Sequence, residues 1–274
     1  MQLPTPITSL VLNMFVTVRV IRSWMTRLGT VEDEADILWA LQSIPNKTWS
    51  QSSPGHVKLL DVTCRIGYVG IVKYVLQKAK FERLPAQLLW TACTAGHTDI
   101  VAFFLQTFKV TRHTSAILLL NCLDIASSHN RIDLVRYLCE SFGLSRRTCR
   151  QKGNHSAFRI ACKSGCLEVV KYLHGHLRLT RKDVCSNHNI AIVAACERDY
   201  IEVLSYLCEA LPLTVSDLGS DVNLVLAAAL RSMSKDVIRY LHRHFKLVRM
   251  DWSQCFALTN SNQQSMEDWL EFLD

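Results

Sequence analysis

The sequence predicts an all-α fold: a solenoid of about six stacked helix–turn–helix repeats with atypical caps at its two ends. Three observations carry that reading. First, a small-residue pair recurs as Thr63-Cys64, Ala92-Cys93, Ala126-Ser127, Ala161-Cys162, Ala195-Cys196 and Ala229-Leu230, in steps of 29, 34, 35, 34 and 34 residues. Second, each pair is followed by an aromatic–apolar pair in fixed register: Tyr74-Val75, Phe103-Phe104, Tyr137-Leu138, Tyr172-Leu173, Tyr206-Leu207 and Tyr240-Leu241. Third, the residues between them repeat as well. In the clearest copy a break at Gly165 precedes Glu168, then Val169, Val170 and Leu173 at helical spacing. A period of this size belongs to helical hairpins that bury their apolar faces against one another.

The block Ala161-Cys162-Lys163-Ser164-Gly165, followed by Glu168-Val169-Val170, resembles the ankyrin repeat: two small residues, two variable ones, Gly-His, a spacer, an acid and two valines. Gly96-His97 keeps the whole turn dipeptide, and Asp99, Asp133, Glu202 and Asp236 repeat the acid. The chain departs from the family where the latter usually has Thr-Pro-Leu-His. It has instead Ser156-Ala157-Phe158-Arg159, Ile190-Ala191-Ile192-Val193 and Leu224-Val225-Leu226-Ala227. Its connectors repeat a theme of their own, at Leu144-Ser145, at Leu179-Thr180 with Asp183, and at Leu213-Thr214 with Asp217. In this it is similar to the divergent ankyrin repeats of large DNA viruses and some protists. The resemblance spans roughly residues 56 to 245.

Three regions follow. Residues 1–55 lack the repeat and read as an N-terminal helical cap. Leu10, Val11, Met14, Phe15, Val18, Ile21 and Met25 form one helical stripe. An acid-rich helix start at Val31-Glu32-Asp33 then leads into Ile37, Leu38 and Leu41, and Pro45 ends it. Residues 56–245 are the array, each unit pairing a first helix that carries the small residues with a second that carries the apolar stripe. Residues 246–274 end in Trp269-Leu270-Glu271-Phe272-Leu273, an echo of the stripe without its small-residue pair, and read as a decayed repeat serving as C-terminal cap. Solenoids need such ends to shield an otherwise open face.

The longest apolar stretch, Ile7 to Val18, falls short of a bilayer span and has no basic residue before it, so neither membrane nor secretory signal is expected. Eleven cysteines would suggest disulfides, yet Cys64, Cys93, Cys162 and Cys196 share one repeat position, where the thiol acts as a small hydrophobe. Free thiols and an intracellular, cytoplasmic setting follow (host cytoplasm for a viral chain).

Residues that bear chemistry track the repeat. Cys162, Cys166, His174, His176, Cys185 and His188 cluster in sequence at spacings a zinc ion tolerates. However, Cys162 belongs to the small pair, Cys166 replaces the turn histidine, and His174/His176 recur as His242/His244. No nucleophile elbow, phosphate loop, dinucleotide fingerprint or zinc-protease motif is present. A non-enzymatic protein without cofactor or metal is the expectation.

What remains is recognition. The formal charge is +7, and cations gather in connectors at Arg146, Arg147, Arg181 and Lys182. No aromatic residues alternate with them as a single-strand binder requires, so an acidic protein surface is favoured over nucleic acid. The resemblance implies a partner on the concave face, at connector tips and at the variable pairs, here Arg65-Ile66, Thr94-Ala95, Ser128-His129, Lys163-Ser164, Glu197-Arg198 and Arg231-Ser232. A monomeric scaffold that binds a protein is the reading. Its alternative is an adaptor whose first 55 residues recruit a ubiquitin-ligase-type machinery, suggested by a faint F-box likeness at Leu3-Pro4 and Trp24.

Overall fold

The computed structural model describes residues 31–42, 54–151, 155–218 and 222–247. The stripe from Leu10 to Met25, the F-box-like residues and the tail beyond Leu247 lie outside them. Every regular element among the described residues is a helix. The chain divides into two compact units, Met1–Ser115 and Ala116–Asp274.

In the first unit, α1 (Val31–Gln42) precedes two hairpins, α2 (Pro54–Ile66) with α3 (Val69–Ala79) and α4 (Ala86–Ala95) with α5 (Thr98–Thr107). The first helices α2 and α4 pack together as an inner layer, α3 and α5 pack as an outer one, and α1 lies against α3. Thr63, Cys64, Ala92 and Cys93 are fully buried between the inner helices, where larger side chains would hold them apart. Ile71, Val72, Ile100, Val101 and Phe104 are equally buried beneath the outer helices.

The second unit begins inside α6 (Arg112–Ser128), whose helical run breaks at Ser115 (φ −151°, ψ 46°). It continues through α7 (Ile132–Ser141), α8 (Arg146–Gln151), α9 (Ser156–Lys163), α10 (Leu167–Leu177), α11 (Arg181–Val184), α12 (Ser186–Glu197), α13 (Ile201–Ala210), α14 (Val215–Leu218), α15 (Val222–Ser232) and α16 (Lys235–Phe245). Inner helices α9, α12 and α15 pack in succession, and outer helices α7, α10, α13 and α16 do the same. The valine pair at 169 and 170 is fully buried, as are Leu134-Val135, Val203-Leu204 and Val237-Ile238 to within 1%. One departure from a simple helix is found in α12. Asn187, His188 and Asn189 all have positive φ, so the regular helix begins at Ile190. Periodicity cannot see this, because a left-handed turn changes backbone direction without changing the spacing of the residues that follow.

The turn inside each hairpin is left-handed at one repeat position: Gly67 (φ 104°), Gly96 (88°), Asn130 (55°), Gly165 (70°), Asp199 (61°) and Met233 (55°). The backbone thus keeps the conformation even where glycine is lost. Asn and Asp tolerate it; Met does not. At Gly67 and Gly165 a second constraint applies. A Cβ there would stand 2.5 Å from the His97 ring and 2.7 Å from the Tyr200 ring, each on the following hairpin. His97 Nε2 lies 3.1 Å from the Arg65 carbonyl oxygen at the end of α2, so the turn histidine ties one hairpin to the next.

Outer helices carry an acid in their first turn at Asp99, Asp133, Glu168, Glu202 and Asp236, which suits the positive end of the helix dipole. The first hairpin has Gly70 at that position. Glu34 of α1 supplies the missing charge: its Oε1 accepts from the Gly70 amide at 2.7 Å and the Ile71 amide at 3.3 Å. Tyr74 donates to the Leu41 carbonyl at 3.3 Å, and Ile37 and Leu41 are buried.

Three stability outcomes follow. In chemical denaturation, Glu34→Ala should cost about 1 kcal/mol, the usual value of a helix N-terminal acceptor. Gly165→Ala should cost at least about 1–2 kcal/mol for the backbone alone, and more because Tyr200 must move. Met233→Gly should stabilise by roughly 0.5–1 kcal/mol, since strain relief exceeds the entropy of an added glycine.

Candidate interaction surface

Each inner helix has two ends, and they differ chemically. At its start stands a connector. Thr180 and Asp183 close a reciprocal cap around α11, the Thr180 amide and hydroxyl donating to Asp183 Oδ2 at 2.8 and 2.7 Å. Thr214 repeats this with Asp217 at 2.8 and 2.6 Å. Ser145 and Thr148 form a neutral version, as do Thr111 and Thr114, whose amides each donate to the other's hydroxyl at 3.1 and 3.2 Å. The pair at 111 and 114 was legible from the same spacing but begins with Val110 rather than leucine.

The capping carboxylates also receive the arginine of the preceding connector. Arg146 reaches Asp183 at 2.5 Å and Arg181 reaches Asp217 at 3.4 Å. Asp183 is buried, with His155 Nε2 at 3.5 Å from its other oxygen. Burial pushes its carboxyl up, but the Thr180 amide and hydroxyl and the Arg146 guanidinium outweigh that and hold it at about 2. Burial lowers the affinity of His155 for a proton, despite Asp183 beside it, so it stays neutral at neutral pH. Asp217 is likewise held below the usual range, by Thr214 and then Arg181.

At the far end of each inner helix stand the variable pairs, separated from the connectors by regular helical runs of 8 to 11 residues in α9, α12 and α15, roughly 12–17 Å. Connector tips and variable pairs therefore form two edges rather than one patch. Arg65, Thr94, Lys163, Glu197, Arg198 and Arg231 are all exposed there. Arg65 is held by Asp61 at 2.8 Å, and Arg231 by Glu197 at 2.6 Å. Arg147 and Lys182 are exposed on the connectors, whereas Arg146 and Arg181 are spent in the ladder just described.

The residues of the zinc reading are dispersed. Cys162 is buried between helices, His174 Nδ1 lies 2.8 Å from the Tyr206 hydroxyl, and His176 Nε2 lies 3.1 Å from the Leu144 carbonyl oxygen. His244 meets Leu213 in the same way at 3.2 Å, so these histidines tie outer helices to connectors. Among the described residues no three His, Cys, Asp or Glu side chains gather for a metal ion. All ten described cysteines are free, and burial raises the thiols of Cys64 and Cys208 to about 12 and those of Cys162 and Cys196 further still. Such thiols are poor nucleophiles.

Residues 123–223, from the middle of α6 into α15, match the family model of ankyrin repeats in three copies. That segment carries ankyrin repeats. No curated protein matches it. Ankyrin repeats are in general protein–protein interaction modules and typically do no chemistry. No helix among the described residues is long and apolar enough to cross a membrane.

The Asp183 cluster gives a pH signature. A carboxyl held near 2 when folded and near 3.8 when unfolded contributes about 2 kcal/mol above that unfolded value, lost as pH falls from about 4 to 2. His155, with its folded affinity depressed, removes stability as pH falls below its unfolded value of 6.5. Thermal unfolding from pH 7 to 2 should therefore show two declines, and Asp183→Asn should remove most of the lower one.

Proposed function

We propose that this protein is a non-enzymatic scaffold that holds a protein partner on the exposed ends of its inner helices and along the connector edge, with an acidic partner surface favoured. One observation carries the reading. The variable pairs differ in every repeat while occupying the same place at the inner-helix ends, each with at least one exposed member, beside stripe residues that are alike and buried. Packing explains the second set and leaves the first free to vary for recognition.

The acidic preference rests on cations left after the internal ion pairs are formed. Arg147, Lys163, Lys182 and Arg198 are exposed with no carboxylate partner among the described residues. A monomeric protein in the cytoplasm fits this reading. The adaptor alternative rests on residues outside the described ones. The packing of α1 on α3 through Glu34, Ile37 and Leu41 supports a capping role for that helix instead.

Affinity capture with the full chain tests the proposal. Lys163→Glu together with Arg198→Glu leaves the Arg231–Glu197 pair intact, and should deplete the captured partner at least about fivefold at low salt with helicity unchanged. Capture unaffected by this change and by Arg147→Glu with Lys182→Glu would exclude both edges.

A further inference from the structure

The exposed face of the inner helices changes character along the second unit. Five residues before the first small residue of each pair, the chain has Lys58, Gln87, Asn121 and Ser156 in the first four hairpins, then Ile190 and Leu224 in the last two. Two residues before it the chain has Asp61, Trp90, Asp124 and Arg159, then Val193 and Ala227. These are not core positions: Ile190 is 41% exposed and Leu224 48%. The polar version of this contact is visible one step earlier, where Ser156 donates to Asp124 on the neighbouring inner helix at 2.8 Å. The same two repeat positions, on α12 and α15, are Val193 and Leu224. Inner helices α12 and α15 pack directly against each other, so half-buried Val193 and exposed Leu224 stand where Asp124 and Ser156 meet one step earlier, with Ile190 one turn before Val193 on α12; repeat equivalence makes these an apolar strip. At the position of Ile190 and Leu224 nothing in the packing calls for large apolar groups, because polar residues fill it in the other four hairpins.

Charge surrounds the strip asymmetrically. Asp183 and Asp217 are occupied by Arg146, Arg181 and their capping threonines, and Glu197 by Arg231. Arg147 and Lys182 on the connector side, with Lys163 and Arg198 at the far end, keep their charge exposed. The strip is thus apolar along its middle and cationic at both ends. The geometry points to a single occupant: an acidic segment of a partner protein, presenting two or three leucine-sized side chains to Ile190, Val193 and Leu224 and its carboxylates to the flanking cations. This rests on the scaffold reading and adds where the partner docks and what its chemistry is.

The test is fluorescence anisotropy on the full chain, with a fluorescein-labelled dodecapeptide of glutamates interspersed with three leucines. Saturable binding is expected, with no binding by a control whose leucines are serines or by one whose glutamates are lysines. Ile190→Ser with Leu224→Ser, exposed changes that leave helicity intact, should weaken binding about tenfold. Arg147→Glu with Lys182→Glu should weaken it at low salt and progressively less as salt rises. Equal binding of either control peptide, or binding indifferent to the Ser variant, overturns the proposal. So does tighter binding of a single-stranded oligonucleotide that ignores the Ser variant, or a dimer in sedimentation that the Ser variant turns into a monomer. If the Ser variant still captures the scaffold's partner in full, the strip is excluded while the scaffold function stands.

Discussion

Close approach of neighbouring inner helices at the small-residue pairs is the contact on which the rest depends. Ala161-Cys162 and Ala195-Cys196 are fully buried, and only side chains of that size let α9, α12 and α15 pack in succession. Once the inner helices are set at that spacing, the outer helices have one place to go. Their Val-Val-x-Tyr-Leu stripes then close over the gaps between neighbours. A hairpin alone packs its two helices together but has no second wall for its stripe, so each unit's core is completed between hairpins.

Register along the stack is held by polar ties that repeat with the hairpins. Turn residues such as His97 reach back to the preceding inner helix, and tyrosines of outer helices reach back to the preceding outer helix, as Tyr172 does to Glu140 at 3.3 Å. Connector arginines reach forward to the next capping aspartate. These ties involve many of the polar residues that a motif search would take for chemistry. The histidines at 174, 176 and 244 are the clearest instance, each bonded to a neighbour's backbone or hydroxyl. The same ties divide the connector cations into those spent inside the fold and those left for a partner.

The first hairpin meets the same electrostatic need in a different way. Its outer helix lacks the acid that its successors carry, and a carboxylate from α1 takes over the same amides. Electrostatic need at a helix N-terminus is constant along the array, whereas the residue that meets it is not. The last inner helices show the converse: their packing face is unchanged, but their exposed face turns apolar at Ile190 and Leu224.

The sequence by itself determined the helical class, the hairpin period, the buried stripes and the burial of Cys64, Cys93, Cys162 and Cys196. All of these follow from local spacing and side-chain size. It also marked the variable pairs, because contrast between constant and changing positions is present in one chain. Only the tertiary structure decided that Arg146, Arg181 and Arg231 are internally paired while Arg147 and Lys182 are not. It likewise decided that Glu34 serves α3 from 36 residues away, and that connector tips and variable pairs stand at opposite ends of the inner helices. The reason is distance along the chain: periodicity reports which face of its own helix a residue occupies, and a partner one hairpin away enters only when the helices are packed.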